Sequence, residues 1–77
     1  MDRIFKAQKY GRVKIRLNDL MDERNITRGA LAAAIGSRFE VVDRWYQGTM
    51  DKLDLDVLAR ICCVLDCQVS DILEYEM

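Results

Sequence analysis

Proline and histidine are absent from these 77 residues, glycine occurs at four positions and cysteine at three. Without proline, nothing in the chain forbids a helix by lacking an amide donor. Without histidine, the usual neutral-pH acid–base group and commonest metal ligand are missing. Cys62, Cys63 and Cys67 cannot supply the four ligands in paired spacings that a structural zinc takes, so no metal is expected. Small thiols, buried or half-buried in a reducing compartment, are the expectation. The chain has no phosphate-cradling glycine loop and no convincing nucleophile–base pair. No catalytic residue, no cofactor and no enzyme activity are therefore expected. No apolar run approaches the ~20 residues of a membrane span. The start, Met1-Asp2-Arg3-Ile4-Phe5-Lys6, lacks the apolar stretch of a secretory signal. A cytoplasmic location without a membrane partner is expected.

About half of the residues are apolar, 51%. A chain this short buries only roughly 60–65% of its unfolded surface, so most of those residues must share one core. One small helical domain is expected, with no room for a domain that senses a small-molecule ligand. The formal net charge of −1 hides an uneven distribution. Arg3, Lys6, Lys9, Arg12, Lys14 and Arg16 face only Asp2 in residues 1–16, whereas residues 51–77 carry seven acids against Lys52 and Arg60. A dipolar surface can turn its basic side to phosphates while the far side repels them, and an ordinary solvated surface reads the same way.

Residues 1–16 read as a basic arm or strand, and 17–77 as the domain proper. From Arg12 to Leu17 charged and apolar residues alternate, the period of a half-buried strand. Leu73, Tyr75 and Met77 alternate with Glu74 and Glu76 at the other end. Pairing the two segments sets bases beside acids, within one chain or across a dimer. Residues 2–9 add a hairpin arm or stay a basic tail. Helix 1 is expected to start at an Asn18 cap and to bury Leu17, Leu20 and Met21, with Asn25 ending it in a left-handed conformation. Thr27 caps helix 2, roughly Arg28 to Ile35, and Gly36 turns the chain. Ser37 and Glu40 have capping-box spacing, starting helix 3 near Arg38 and carrying it to Tyr46 or Gln47, where Gly48 stops it. Asp51 or Asp54 caps helix 4, with Leu55, Leu58, Ile61, Cys62 and Leu65 at helical spacing. Ser70 and Asp71 open a short helix 5 carrying Ile72 and Leu73.

Between Thr27 and Gly48 the apolar residues fall only where two crossed helices touch. Leu31, Ala32 and Ile35 line one inner face, Val42 and Trp45 the other. That stretch resembles the phage-repressor and Cro type of helix-turn-helix, the XRE-like family. The family carries apolar residues where Leu31, Ile35, Val42 and Trp45 fall, a small one at Ala32, glycine at Gly36, and an Asn/Gln-Gly pair that here is Gln47-Gly48. Leu58 to Leu73 resembles its closing helices, so the likeness covers about residues 17–74. Ser37 departs from it at a turn position that is usually apolar, and the N-terminal strand is an addition. The resemblance implies an all-α, compact five-helix repressor-type domain, to which the alternating ends of this chain add a small two-stranded terminal sheet.

It also implies a sequence-specific double-stranded DNA-binding transcriptional regulator that lays residues 38–47 in the major groove. The family's base-contacting positions fall on Phe39, Glu40 and Arg44, with Arg38 and Asp43 beside them. Arg44 would grip guanine with both arms, Glu40 would accept from cytosine and Phe39 would lie on a thymine methyl. Each has a plainer reading: Glu40 completing a cap with Ser37, Phe39 folding back on the core, Asp43 and Arg44 forming a solvated pair. Arg28, Gln47, Thr49 and Lys52 fall where phosphates pass, and Lys6, Lys9 and Arg12 add an arm. With so few cations, two copies on two half-sites are expected, a homodimer. The competing function is a protein-interaction module of antitoxin or anti-repressor type on the same fold, for which Phe39, Trp45, Tyr46 and the acidic C-terminal half speak.

Overall fold

A computed structural model describes residues 9–77. Of the arm expected at residues 2–9, all but Lys9 lies outside the described residues, Lys6 included. The elements run β1 (Arg12–Ile15), α1 (Leu17–Glu23), α2 (Arg28–Ile35), α3 (Phe39–Gln47), α4 (Leu55–Leu65), α5 (Val69–Ile72) and β2 (Leu73–Glu76). The terminal sheet is real and closes within one chain, so the architecture is five helices plus a two-stranded antiparallel sheet rather than purely α-helical. Its register sets Arg12 opposite Glu76, Val13 opposite Tyr75, Lys14 opposite Glu74 and Ile15 opposite Leu73. Base therefore meets acid on one face and apolar meets apolar on the other.

Three helices end in the same way. Asn25, Gly36 and Asp66 take left-handed backbone angles (φ 57°, 68° and 50°). In each case the following amide reaches back five residues, from Ile26 to Met21, Ser37 to Ala32 and Cys67 to Cys62. This double-bonded termination satisfies carbonyls that the helix leaves open. Gly48 (φ 70°) ends α3 with a single bond to the Arg44 carbonyl. Two arginines cap helices from outside: Arg60 donates to the Ile35 carbonyl at 3.0 Å, and Arg24 to that of Leu65.

The helix starts diverge from expectation in three places. Thr27 Oγ1 accepts from Ala30 N–H at 3.1 Å and Asp54 accepts at the head of α4, as expected. Asn18, however, is not a cap: α1 starts at Leu17 behind Arg16, which makes no side-chain cap bond. The Arg16 amide is held instead by the Ile72 carbonyl at 2.5 Å, which stops the strand at Ile15 and moves the helix cap two residues earlier than expected. The Ser37–Glu40 box does not form, because Ser37 is used in ending α2 and Arg38 becomes the N-cap residue of α3. Helix α5 opens after Gln68, whose side chain and that of Asp71 cap each other's backbone, so Ser70 lies inside it and Leu73 already belongs to β2.

The core joins Leu17 and Met21 of α1, Leu31, Ala32 and Ile35 of α2, Val42 and Trp45 of α3, Leu58, Ile61 and Leu65 of α4, Ile72 of α5 and Ile15 of β1. Leu55, expected in the stripe of α4, is exposed in its first turn. Cys62 and Cys67 are half-buried while Cys63 is exposed, contrary to the expectation of three sheltered thiols. Burial, reinforced by neighbouring Cys62, pushes the Cys67 thiol up to about 11. It is an inert packing group at neutral pH. Among the described residues, no three metal-ligating side chains converge, and no helix is long and apolar enough to cross a membrane.

Candidate nucleic-acid interface

Helix α3 is amphipathic in the way two crossed helices require: Val42 and Trp45 are buried against α2, and the opposite face is open. Arg38, Phe39, Glu40 and Arg44 are all exposed on it. No ion pair among the described residues involves Arg38, Glu40 or Arg44. The solvated Asp43–Arg44 pair is thus not formed. Phe39 is 48% exposed and stays out of the core, which removes the packing alternative for its ring.

Arg28, at the first position of α2, is brought to α3 by the crossing of the two helices. Its Nη1 donates to Asp43 Oδ1 at 2.5 Å. The guanidinium carbon lies 5.5 Å from the Phe39 ring centre and 5.0 Å from that of Tyr46, within cation–π range. Gln47 donates to the same Asp43 oxygen at 3.4 Å. The Tyr46 hydroxyl donates to Asp22 at 2.8 Å, and that bond, with some burial, holds its pKa above the ordinary phenol value. One polar cluster therefore ties Arg28, Asp43 and Gln47, three of the residues expected to touch DNA, across the α2–α3 junction. Tyr46 is the member that sequence reasoning did not assign to the site; its spacing of seven from Phe39 and three from Asp43 puts all three on one helical face.

The remaining expected contacts lie on the far side of α3. Thr49 and Lys52, both exposed, share a depression with Ser37 and Arg44, and Asp54 stands at its rim. A second groove joins Gln47 to Arg12, Lys14 and Asn18 beside the outer edge of β1. Lys14 and Asn18 were not assigned to the interface from the sequence, because their approach to α3 depends on how the sheet docks. Arg12 reaches this groove but is paired with Glu76 at 3.0 Å. Two of the acids predicted to repel DNA are taken up in ion pairs, Glu74 with Arg16 and Asp56 with Arg60, whereas Asp54 lines the depression beside Arg44 and Lys52. The geometry offers a convex helix with unpaired Arg and Glu side chains, flanked by hydroxyl and cationic groups.

Known proteins share this fold. A candidate DNA-binding protein from Bacteroides fragilis, solved by crystallography, superposes with a TM-score of 0.71 at 19% identity, over 82% of this chain and 100% of that one. The transcriptional regulator VanUg superposes with a TM-score of 0.69 at 26% identity, over 92% of this chain and 93% of its own. No curated protein matches in sequence. Residues 16–77 match the Cro/C1-type HTH DNA-binding domain, which takes in all five helices and β2. With this match spanning nearly the whole chain, and with α2 and α3 crossed as described, the protein belongs to the Cro/C1-type helix-turn-helix DNA-binding domain family.

Proposed function

We propose that the protein is a sequence-specific, double-stranded DNA-binding transcriptional regulator that places the N-terminal half of α3 in the major groove. The observation that carries this reading is the freedom of Arg38, Glu40 and Arg44 on an exposed helical face: among the described residues none of them enters an ion pair, whereas Arg28 on the neighbouring helix is tied to Asp43. Arg44 is assigned to guanine O6 and N7, Glu40 to a cytosine amine and Phe39 to a thymine methyl, with Arg38 and Asp43 at the margins of the readout. Arg28, Gln47, Thr49 and Lys52 hold phosphates and set the register without reading sequence. Two copies on two half-sites, working in the cytoplasm where the DNA lies, supply the affinity that one domain of net charge −1 lacks. Operator occupancy is the mechanism proposed for this domain.

Fluorescence anisotropy on genomic fragments, including the region upstream of its own coding sequence, tests the reading at two salt concentrations. Expected is preference for particular fragments, weakening with salt, and an Arg44→Ala variant that loses roughly 1–3 kcal/mol of discrimination while melting as the parent does. Equal, weak binding to every fragment defeats the proposal. The half-exposed Phe39 ring on the same face favours the second reading, a protein-interaction module; that module would show no salt-sensitive DNA affinity at all.

A further inference from the structure

We propose that the apolar face of the β1–β2 sheet mates with the same face of a second copy of this chain. The inference rests on the DNA-binding reading only for its expectation of two copies. The register places Val13, Ile15, Leu73 and Tyr75 on one face, with Met77 following in the alternation. The inner half of that face is used: Ile15 is buried and Leu73 is packed against the core. The outer half extends beyond the helices, and among the described residues nothing covers it. Val13 is 61% exposed, Tyr75 60% and Met77 85%, and Tyr10, 76% exposed, stands at the same end beside Gly11 and Met77.

The local structure is organised rather than frayed. The Tyr75 hydroxyl accepts from the Gly11 amide at 2.9 Å and reaches Met77 Sδ at 3.1 Å, fixing the ring along the face. Gly11 is needed there, since a Cβ on it would lie 1.8 Å from the Glu76 carbonyl oxygen. A β-hairpin-like pair that ends in ordered, uncovered tyrosine, valine and methionine side chains is an unpartnered surface.

Charge selects the occupant and the way it docks. All charged residues of the two strands (Arg12, Lys14, Glu74 and Glu76) lie on the opposite face, where Arg12 already binds Glu76 and Arg16 binds Glu74. The apolar face carries no cation for a phosphate and no carboxylate for a basic partner. Edge-to-edge pairing of two copies is disfavoured. Setting β1 antiparallel to its own copy at Val13 puts Arg12 opposite Lys14, and doing so for β2 at Tyr75 puts Glu74 opposite Glu76. Like charges directly opposite destabilise a ladder. Packing face on face across a twofold axis meets neither penalty, because one self-complementary patch serves both partners.

The size of the face sets the strength. Four side chains of this kind offer roughly 500 Å² per copy, against about 800 Å² per partner in a standard stable interface. The dimer is therefore weak in solution and completes on DNA, where neighbouring half-sites hold two copies at about millimolar effective concentration. Gly48, at the C-terminus of α3, lies against Ile15 of β1, so the mated copy adjoins the end of the recognition helix.

Sedimentation velocity on the full chain, from micromolar to millimolar concentration, provides the test. Expected is a concentration-dependent monomer–dimer equilibrium that Val13→Lys or Tyr75→Glu each weakens at least tenfold, with dimer recovered when the two variants are mixed. Met77→Glu, at a position 85% exposed, serves as the variant least able to disturb folding, and circular dichroism verifies each protein. Unchanged association in all three variants overturns the proposal, as does a parent that stays monomeric and fills two half-sites independently. Stronger association after removal of residues 1–8 also overturns it, by making this chain's own N-terminal segment the occupant. Affinity for a single half-site, measured alongside, separates the two readings. A parent that dimerises through this face but binds no DNA fails the regulator proposal and leaves the sheet assignment standing.

Discussion

Arg28 lies over two aromatic rings and donates to Asp43 at 2.5 Å, so reaching a phosphate means giving up that carboxylate. Both members of the pair are more than a third exposed, which limits the bond to at most about 1 kcal/mol. The larger effect of Asp43 is its sign, a fixed negative charge on the side that would meet DNA. Asp43→Asn keeps the shape, frees Arg28 and removes that charge. It should bind DNA roughly three- to tenfold more tightly, with stability falling by less than about 1 kcal/mol. Anisotropy at moderate salt checks the first and thermal denaturation the second. Weaker, less selective binding would instead make Asp43 a direct base contact. Sequence periodicity placed Asp43 on the outer face of α3 and offered Arg44 as its partner, whereas the structure pairs it with Arg28. Arg28 is fifteen residues away, and only the crossing of two helices brings the charges together.

At the scale of the element, the chain's own punctuation was legible where a residue has one local use. Thr27 starts α2, Gly36 ends it, and Asn25 and Gly48 end α1 and α3 as their conformational preferences indicate. It was illegible where a residue had two uses and tertiary structure chose. Ser37 fits a cap for α3, but its amide is drawn back to Ala32, and the helix starts a residue late. Asn18 fits a cap for α1, but the Ile72 carbonyl takes the Arg16 amide and moves the boundary. Asp66 accepts a left-handed angle at φ 50° that the sequence did not advertise. The sheet was readable because its two strands carry complementary charges in matching phase. These differences predict unequal costs for two similar substitutions. Thr27→Ala should destabilise the fold by about 1 kcal/mol, lowering the melting temperature by roughly 4–8 °C for a domain this small. Ser37→Ala should stay within about 0.5 kcal/mol of the parent. Equal losses in thermal melts would show that Ser37 caps α3 in solution after all.

For the whole molecule, the contrast between a net charge of −1 and membership of a DNA-binding family is resolved by where the charges sit. Among the described residues four basic side chains are already engaged in ion pairs: Arg12 and Arg16 with the acids of β2 and α1, Arg28 with Asp43, Arg60 with Asp56. The supply of phosphate-binding cations is thus small, and affinity must come from base contacts and from joining two copies. This fixes the salt dependence. With Arg28 and Lys52 as the cationic phosphate contacts of each copy, a dimer on its operator neutralises about four phosphates. Gln47 and Thr49 contribute hydrogen bonds that release no counterions. The logarithm of the binding constant should then fall with the logarithm of salt at a slope of roughly −3 to −4. Lys52→Ala should reduce that slope by nearly two units, weakening specific and random DNA alike, because a phosphate contact carries no sequence information. A slope of −7 or steeper would instead bring the arm, with Lys9 and Lys14, onto the duplex. A slope unchanged by Lys52→Ala would take the loop after α3 off the phosphate backbone.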